Sequence, residues 1–277
     1  MYLGLDVETN ELVDIEDADS KKEYICPHCK SKLIQKCGDI NVWHFAHESL
    51  RDCDDWSNEM SEWHKNWQAQ FPKRFREVDI TYRGKTHRAD VCVHGYIIEF
   101  QHSSISAKEF NKRNKFYTNA GYKVIWIFDL TNQYYNDQII YNKQVSIGKC
   151  AYKTLYNWNH RIHTFDDFYP QYEKNIILFF QLCDECFDED YYGNNTWMLN
   201  RVVWAIEDEE NDCANFKRFY VRHDFFDFDA LNNLPLEYFD DDDDDEDDED
   251  TPNDYGGING YICTDYEFVQ AIKHKEI

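Results

Sequence analysis

The sequence places two acidic residues within what it predicts to be a buried β-hairpin. Residues 91–93 and 96–98 are mostly apolar and β-branched, and a glycine lies between them, as is typical of two strands joined by a tight turn. Asp90 and Glu99 then lie on neighbouring strands, and Gln101 shares a face with Glu99 because alternate residues of a strand point the same way. Carboxylates in such a place favour a site for a hard divalent cation.

The pattern around this hairpin predicts an α/β (α+β) fold with a mixed sheet. Apolar residues at spacings of three and four predict a helix over 57–76, which Pro72 interrupts or ends early. The other predicted elements are strands at 77–82, 87–93 and 96–102, a helix at 106–119 and a strand at 122–130. The sheet is expected to be mixed, because the last strand must return across a helix.

A cysteine pair near the start of the chain has the spacing of a zinc site. Cys26 and Cys29 are separated by two residues, so both thiolates can face one tetrahedral ion. His44 and His47 point to opposite faces if their segment is a strand, and His47 is nearer to Cys53. We therefore expect a structural zinc held by Cys26, Cys29, His47 and Cys53, with His44 as the alternate ligand. Two buried cysteines beside unrelated histidines are the alternative.

Several motifs in order resemble the CoiA-like competence proteins, a branch of the PD-(D/E)XK nuclease superfamily. They are His-Arg-Ala-Asp-Val at 87–91, Ile-Glu-Phe-Gln-His-Ser-Ser-Ile-Ser at 98–106, the spacing of Arg113 and Tyr117, Val-Ile-Trp-Ile-Phe-Asp at 124–129, and Cys-Pro-His-Cys at 26–29 followed by His-Phe-Ala-His at 44–47. The resemblance covers about residues 20–130. It implies the restriction-endonuclease-like order of helix, three strands, helix and strand.

The resemblance also implies a reaction, the Mg²⁺- or Mn²⁺-dependent hydrolysis of DNA phosphodiester bonds. In the resembled nucleases the metal is held by the equivalents of Asp90, Glu99 and the carbonyl of Phe100, and the third position, here Gln101, orients or activates the attacking water. Lysine is usual at that third position. An amide holds a water but cannot act as a base, although glutamine also occurs in the CoiA-like branch. A DNA-binding or recombination accessory that keeps the fold without catalysis is the alternative.

The first predicted helix carries a further candidate catalytic residue. His64 resembles the family's helix histidine, but Met60 stands where the family often has a glutamate. The sequence leaves open whether His64 contacts water or phosphate at the site or is a packing residue.

Candidate substrate-binding residues lie on both sides of Glu99. Ser103 and Ser104 precede a helix start, where hydroxyl and free N–H groups suit phosphate binding. Arg113 and Tyr117 are four residues apart and so share a helix face. Arg88 belongs to the same motif as Asp90.

The charges are distributed very unevenly along the chain. Residues 21–130 hold 18 Lys or Arg against 14 Asp or Glu, whereas the remainder holds 11 against 40, and the net charge is −25. Contacts to DNA phosphates must therefore come mainly from the first of these parts. Residues 240–250 are an unbroken acidic block, which is expected to be a solvated loop or to compete with DNA for the basic part. The acidic C-terminal region is also a candidate surface for a protein partner.

Composition and motif positions suggest three domains and a cytoplasmic protein. The expected domains are an N-terminal zinc-ribbon-like module at 1–56, a nuclease-like core at 57–130, and an aromatic-rich, acidic region of unknown function at 131–277. No run of about 18 apolar residues exists and no basic, apolar leader is recognisable, so we expect no membrane association. Ten cysteines without such a leader favour metal and core roles over disulfides.

Deletion of residues 240–250 tests the two interpretations of the acidic block. If the block competes with DNA, its removal raises DNA affinity at low salt and has little effect at 1 M salt, where the Debye length is about 3 Å. Fluorescence anisotropy with labelled DNA measures both affinities. Equal affinity of the two forms at low salt would leave only the solvated-loop interpretation.

Overall fold

The computed structural model describes most of the N-terminal half of the chain and parts of the C-terminal half. The described residues are 1–38, 42–48, 61–148, 151–159, 163–165, 168, 170, 173–182, 198–208, 213–223 and 263–264. They form two compact units, residues 1–129 with 175–177, and residues 130–174 with 178–277. The three-domain division stays a prediction, and its boundary after residue 56 lies outside the described residues.

The first unit begins with a small antiparallel sheet of five strands. The strands are β1 (Leu3–Asp6), β2 (Leu12–Asp14), β3 (Tyr24–Ile25), β4 (Lys32–Lys36) and β5 (His44–His47), in the order β2-β1-β3-β4-β5. Its core is a compact cluster that includes Tyr2, Ile15, Tyr24, Cys26, Leu33 and Phe45. A larger residue than Gly4 would press on this core, because a Cβ at this position would lie 3.0 Å from the ring of Phe45.

The second part of this unit has the predicted order of helix, three strands, helix and strand. The elements are α1 (Glu62–Ala69), β6 (Arg76–Tyr82), β7 (Lys85–Val93), β8 (Tyr96–Gln101), α2 (Ala107–Asn119) and β9 (Lys123–Asp129). The strands lie in the order β9-β8-β7-β6, with β8 and β9 parallel and the other neighbours antiparallel. The expected mixed sheet is confirmed.

Helix α1 is shorter than its apolar pattern predicts. It starts at Glu62, where the Ser61 hydroxyl accepts the N–H of His64 as an N-cap. It ends at Ala69, because Pro72 follows closely and cannot continue a helix. Residues 57–60 of the predicted helix lie outside the described residues.

Two tight turns connect the antiparallel strands. Arg83 and Gly84 join β6 to β7 with φ angles of 50° and 75°, and His94 and Gly95 join β7 to β8 with 48° and 84°. Positive φ at both central residues is the type I′ hairpin geometry, whose twist matches that of the flanking strands. These turns fix the strand register and therefore the positions of the residues at the other end of β7 and β8.

Strand β8 is buried along its whole length. On one side Phe100 stacks on Trp67 of α1, with ring centroids 5.5 Å apart. Elsewhere in the core Phe110 of α2 packs on Trp126, whose indole N–H donates to the Asn114 side chain at 2.7 Å. Burial of each such ring stabilises the fold by about 2–3 kcal/mol.

Glu77 links the N-terminal sheet to the larger sheet of the first unit. It has φ of 50°, which costs about 1 kcal/mol in a residue other than glycine, and it is buried. Its two carboxylate oxygens accept the backbone N–H groups of Tyr2 at 3.1 Å and Leu3 at 3.0 Å. The Tyr2 hydroxyl also donates to the carbonyl of Ser61 at 2.9 Å. These bonds join β1 to β6 and to the start of α1.

The second unit is an antiparallel sheet preceded by a short helix. Its elements are α3 (Thr131–Tyr135), β10 (Ile139–Gly148), β11 (Ala151–Trp158), β12 (Ile176–Gln181), β13 (Met198–Asp208), β14 (Cys213–His223) and β15 (Cys263–Thr264). The strands run in the order β10-β11-β14-β13-β12, and β15 pairs with β13. The last four residues of β12 belong to this unit.

Aromatic side chains form much of the described core of the second unit. The buried ones are Tyr156, Trp158, Phe165, Phe168, Phe179 and Phe180. The buried Asn200 side chain donates to the carbonyl of Phe180 at 3.1 Å. The acidic block at 240–250 lies outside the described residues. Within the part of the chain that is described, no helix combines the length and apolar character needed to cross a membrane.

Replacement of Glu77 tests the link between the two sheets of the first unit. Glu77→Ala leaves two buried N–H groups without their acceptor and keeps a Cβ at positive φ, so the free energy of unfolding should fall by about 2–4 kcal/mol. Glu77→Gly loses the same bonds but relieves the backbone, and should be less destabilised by about 1 kcal/mol. Urea denaturation of both variants measures the difference. Glu23→Ala, on the exposed surface, is the control, and parent-like stability of Glu77→Ala would contradict the assignment.

Candidate functional site

The candidate site lies where strands β7 and β8 stop pairing. The register runs from Val93 opposite Tyr96 to Val91 opposite Ile98, and Asp90 and Glu99 are the next residues on each strand. One carboxylate oxygen of Asp90 accepts the backbone N–H of Phe100 at 2.9 Å. The side chain of Asp90 thus takes the place of a backbone partner, which holds it at the point where the strands separate.

Helix α1 supplies the partners of the other Asp90 oxygen. The Nε2 of His64 lies 2.9 Å from it, and the amide of Gln68, one turn further along the helix, donates to it at 3.3 Å. Burial opposes the charge of His64, yet the neighbouring Asp90 carboxylate holds the pKa of His64 above its ordinary value. Burial alone would raise the pKa of Asp90, but the charge of His64 and its hydrogen bond hold that pKa below the ordinary value.

Helix α2 supplies the partners of Glu99, which is 3% exposed. The Tyr117 hydroxyl donates to one oxygen at 3.0 Å and Arg113 donates to the other at 3.1 Å. Arg113 also donates to Glu109 at 3.1 Å, which orients the guanidinium. Burial and the negative charge of Asp90 raise the pKa of Glu99 to about 8, against the opposing effect of Arg113. The site therefore holds two close carboxylates that destabilise each other's charge.

The predicted third position, Gln101, faces the segment that leads into α2. It is buried, and its amide donates to the carbonyl of Ser103 at 2.6 Å and to the hydroxyl of Ser103 at 3.2 Å. Ser103 and Ser104 are exposed, and Ser106 is the N-cap of α2. The amide of Gln101 thus positions the loop that carries both candidate phosphate-binding hydroxyls.

The guanidinium of Arg88 lies against the N-terminal sheet. It is 3.6 Å from the Cys26 sulfur and 3.4 Å from a carboxylate oxygen of Asp79. The backbone carbonyl of Arg88 accepts a hydrogen bond from the Tyr117 hydroxyl at 3.3 Å. The side chain of Arg88, predicted to bind substrate, thus contacts Cys26 and Asp79. The predicted residues Arg113 and Tyr117, in contrast, contact Glu99 directly.

Three of the predicted zinc ligands come together. The ligand atoms of Cys26, Cys29 and His47 all lie within 4.8 Å of one another, and the Cys29 sulfur is 3.3 Å from His47 Nε2. The turn that carries both cysteines is closed by the N–H of Lys30, which donates to the carbonyl of Cys26 at 3.0 Å. Two thiol sulfurs and an imidazole are the donor set that zinc prefers.

One further zinc candidate, His44, contacts a backbone carbonyl. His44 Nδ1 is 2.8 Å from the carbonyl of Val42, its neighbour on the chain. Cys53, the predicted fourth ligand, lies outside the described residues. The cluster of Cys26, Cys29 and His47 can hold a metal ion such as zinc.

The sequence pattern did not identify several polar residues around the site. Gln68 lies one helical turn after His64, and this spacing of four could have indicated a shared partner. Glu77 lies on β6 between the residues that pair with Val91 and Ala89, so it neighbours Asp90 across the strands. His102, just after the end of β8, and Asp129, the last residue of β9, form a contact of 2.7 Å. No spacing rule along the sequence connects them.

Two family models match the chain. The model for the N-terminal domain of competence protein CoiA matches residues 7–55, and the model for the CoiA nuclease-like domain matches residues 42–185, which is just over half of the chain. This chain belongs to the CoiA competence protein family. The resemblance inferred from the sequence motifs is thereby confirmed, and it extends past residue 130. No match to the chain was found among curated proteins or solved structures.

The two CoiA matches divide the candidate residues between them. The carboxylate site, with its partners on α1 and α2, lies wholly within the match to the nuclease-like domain. Cys26 and Cys29 lie within the match to the N-terminal domain, and His47 lies where the two matches overlap. The protein is accordingly a nuclease-like competence protein, and its cluster of Cys26, Cys29 and His47 is able to hold a metal.

Proposed function

We propose that this CoiA-family chain is a divalent-metal-dependent nuclease that hydrolyses phosphodiester bonds of DNA. The observation that carries the proposal is the pair of Asp90 and Glu99 at the divergence of two strands, within a nuclease-like domain. Burial and mutual repulsion raise the pKa of Glu99 to about 8, so binding of a divalent cation would stabilise both charges. Carboxylates with such opposed pKa shifts are concentrated at functional sites.

The donor set fits Mg²⁺ or Mn²⁺. The carboxylates of Asp90 and Glu99 and the carbonyl of Phe100 are the residues that would hold the ion, and all three offer the hard oxygen atoms that these cations prefer. Both oxygens of Glu99, and the Asp90 oxygen that accepts the N–H of Phe100, have a second lone pair beyond the hydrogen bond described above. When bound, such an ion would neutralise the negative charge that develops on the phosphate.

The surrounding side chains would orient the carboxylates and the substrate. His64 holds Asp90 through one oxygen, and Arg113 with Tyr117 holds both oxygens of Glu99. The amide of Gln101 can hold a water by a hydrogen bond but cannot remove its proton. The exposed hydroxyls ahead of α2 are suited to bind a phosphate of the substrate.

A non-catalytic role in DNA binding or recombination is the second candidate. It is favoured by one observation, that both oxygens of Glu99 already have a protein donor. A site whose carboxylate charge is neutralised by Arg113 has less need of a cation. Glutamine at position 101 in place of the usual lysine agrees with this alternative.

Replacement of Asp90 by Asn separates the two candidates. The proposed nuclease should cleave DNA in Mg²⁺ or Mn²⁺ but not in Ca²⁺, and Asp90→Asn should lower the cleavage rate by about 100-fold or more, since metal ions contribute several kcal/mol to such reactions. The melting curve should change little, because asparagine can still accept the N–H of Phe100. Gel assays on single-stranded, nicked and duplex DNA measure the rates.

A matched variant controls for the loss of one negative charge. Asp137 is exposed and has φ of 53°, which asparagine tolerates well, so Asp137→Asn should cleave at the parent rate. Cleavage by Asp90→Asn at the parent rate in Mg²⁺ would show that the site is assigned to the wrong residues. Binding of DNA without cleavage by the parent protein would support the non-catalytic role.

The cluster of Cys26, Cys29 and His47 is proposed to hold a structural zinc ion, with Cys53 as the fourth ligand. A complete set of four protein ligands leaves no open position for catalysis. Metal binding would stabilise the small N-terminal sheet, because Cys26 is part of its buried core.

Elemental analysis of protein purified without chelators should find one zinc ion per chain. Cys29→Ala should lower the zinc content and the melting temperature, because it removes one of the four ligands. His44→Ala should leave the zinc content unchanged, since the His44 ring contacts the carbonyl of Val42 instead. A folded, zinc-free parent protein, or loss of zinc in His44→Ala alone, would be incompatible with this ligand set.

A further inference from the structure

Helix α2 presents three lysines to solvent along one side. Lys108, Lys112 and Lys115 are exposed and are spaced by four and three residues, so they lie above one another on the helix surface. The opposite side of the same helix is buried and carries Arg113 and Tyr117, which bond Glu99. Helix α2 thus contacts the candidate site through its buried side and presents a row of cations on its exposed side.

The turn between β6 and β7 places two more cations near this helix. Arg83 and Lys85 are exposed at that turn. The preceding residue, Tyr82, packs edge-on against Phe116 of α2, with ring centroids 6.1 Å apart, and His87 of β7 packs on the same ring at 4.7 Å. The turn is therefore held against the C-terminal half of α2. We call the exposed side chains of Lys108, Lys112, Lys115, Arg83 and Lys85 the basic face.

Cationic side chains elsewhere in the first unit are commonly neutralised by a nearby carboxylate. Lys22 pairs with Asp6 at 2.7 Å, and Lys73 pairs with Asp17 at 3.0 Å. Further pairs join Lys65 to Glu16, Arg76 to Asp14 and Lys32 to Glu23.

On the basic face, by contrast, four of the five side chains have no carboxylate partner among the residues that the structure describes. They are Lys108, Lys115, Arg83 and Lys85. Lys112 approaches Glu109 at 3.7 Å, but that carboxylate also accepts a hydrogen bond from the buried Arg113. The positive charge of this surface is therefore largely uncompensated within the described residues.

Exposed cations in a row suit a regularly spaced polyanion. The first and last of the α2 lysines are seven residues apart, or about 10 Å along the helix axis. One DNA strand advances about 3.4 Å per phosphate, so about three phosphates can lie along this distance. The chain as a whole has a net charge of −25, so a surface of the opposite sign, next to the candidate site, requires a reason beyond solubility.

We propose that the basic face binds the sugar–phosphate backbone of DNA, on the solvent side of the helix whose buried side holds Glu99. This inference rests on the proposed function, because it takes DNA as the substrate. The contacts would be to phosphates and would carry no sequence information. Binding through this face would be strongly salt-dependent, since each neutralised phosphate releases a counterion.

The test compares DNA binding by two variants with three lysines replaced in each. Both also carry Asp90→Asn, so that bound DNA stays intact. The first variant is Lys108→Gln, Lys112→Gln and Lys115→Gln. The control is Lys21→Gln, Lys32→Gln and Lys36→Gln, which removes the same charge from the N-terminal sheet region. Fluorescence anisotropy with a short labelled duplex and the matching single strand, over a range of salt concentrations, gives the affinity and its salt dependence.

The α2 variant should bind about tenfold or more weakly at low salt. Its plot of log affinity against log salt should be shallower by about 0.9 for each duplex phosphate that the lysines no longer neutralise, or by about 0.7 for each phosphate of a single strand. The control should keep the parent slope. An unchanged slope in the α2 variant, or an equal loss of affinity in the control, would overturn the inference.

Failure of this inference can be distinguished from failure of the proposed function. If the parent protein cleaves DNA and the α2 variant binds DNA as the parent does, the proposed nuclease function stands and the proposed role of the basic face is wrong. If the parent protein does not cleave DNA but binds it with a salt dependence that the α2 lysines determine, the proposed nuclease function is wrong and the proposed role of the basic face stands. A parent with no measurable DNA binding in low salt would overturn the basic face as well.

Discussion

The organisation of the first unit depends on keeping two carboxylates close together, Glu99 buried and Asp90 partly exposed. Asp90 and Glu99 lie where two strands separate, and each raises the energy of the other's negative charge. The sheet itself offers Asp90 one backbone N–H, that of Phe100, and the remaining compensation must come from elsewhere. The compensation comes from the two flanking helices, since His64 and Gln68 of α1 hold one carboxylate while Arg113 and Tyr117 of α2 hold the other. The position and orientation of both helices are therefore tied to the electrostatics of the site.

Packing in the aromatic core holds helix α1 in the position that the hydrogen bonds of Asp90 require. Phe100 lies between the carboxylate strand and α1, where it stacks on Trp67 and contacts the rings of Trp63 and His64. The backbone N–H of the same residue bonds Asp90. Packing and polar interactions thus meet in a single residue, so a shift of α1 would disturb the hydrogen bonds of Asp90 as well as the core.

The sequence predicted most of this arrangement because its signals are local. Strand alternation and the glycine turn located β7 and β8, and the spacing of Arg113 and Tyr117 placed them on one side of α2. The mixed sheet followed from a helix between two strands. The sequence could not predict which side chains that are distant along the chain contact each other. The Arg88 side chain faces Cys26, 62 residues away, and only the packing of two sheets determines this.

Glu77 determines how many negative charges the site carries. It neighbours Asp90 on the adjacent strand, so a side chain turned the other way would add a third carboxylate to the pair. The positive φ of Glu77 and the N–H groups of Tyr2 and Leu3 turn it towards the N-terminal strand instead. Cation affinity rises with the number of charged ligands, and three carboxylates would hold an ion tightly while repelling a phosphate. The N–H groups of Tyr2 and Leu3 thus hold the Glu77 carboxylate, so the pair of Asp90 and Glu99 is not joined by a third carboxylate.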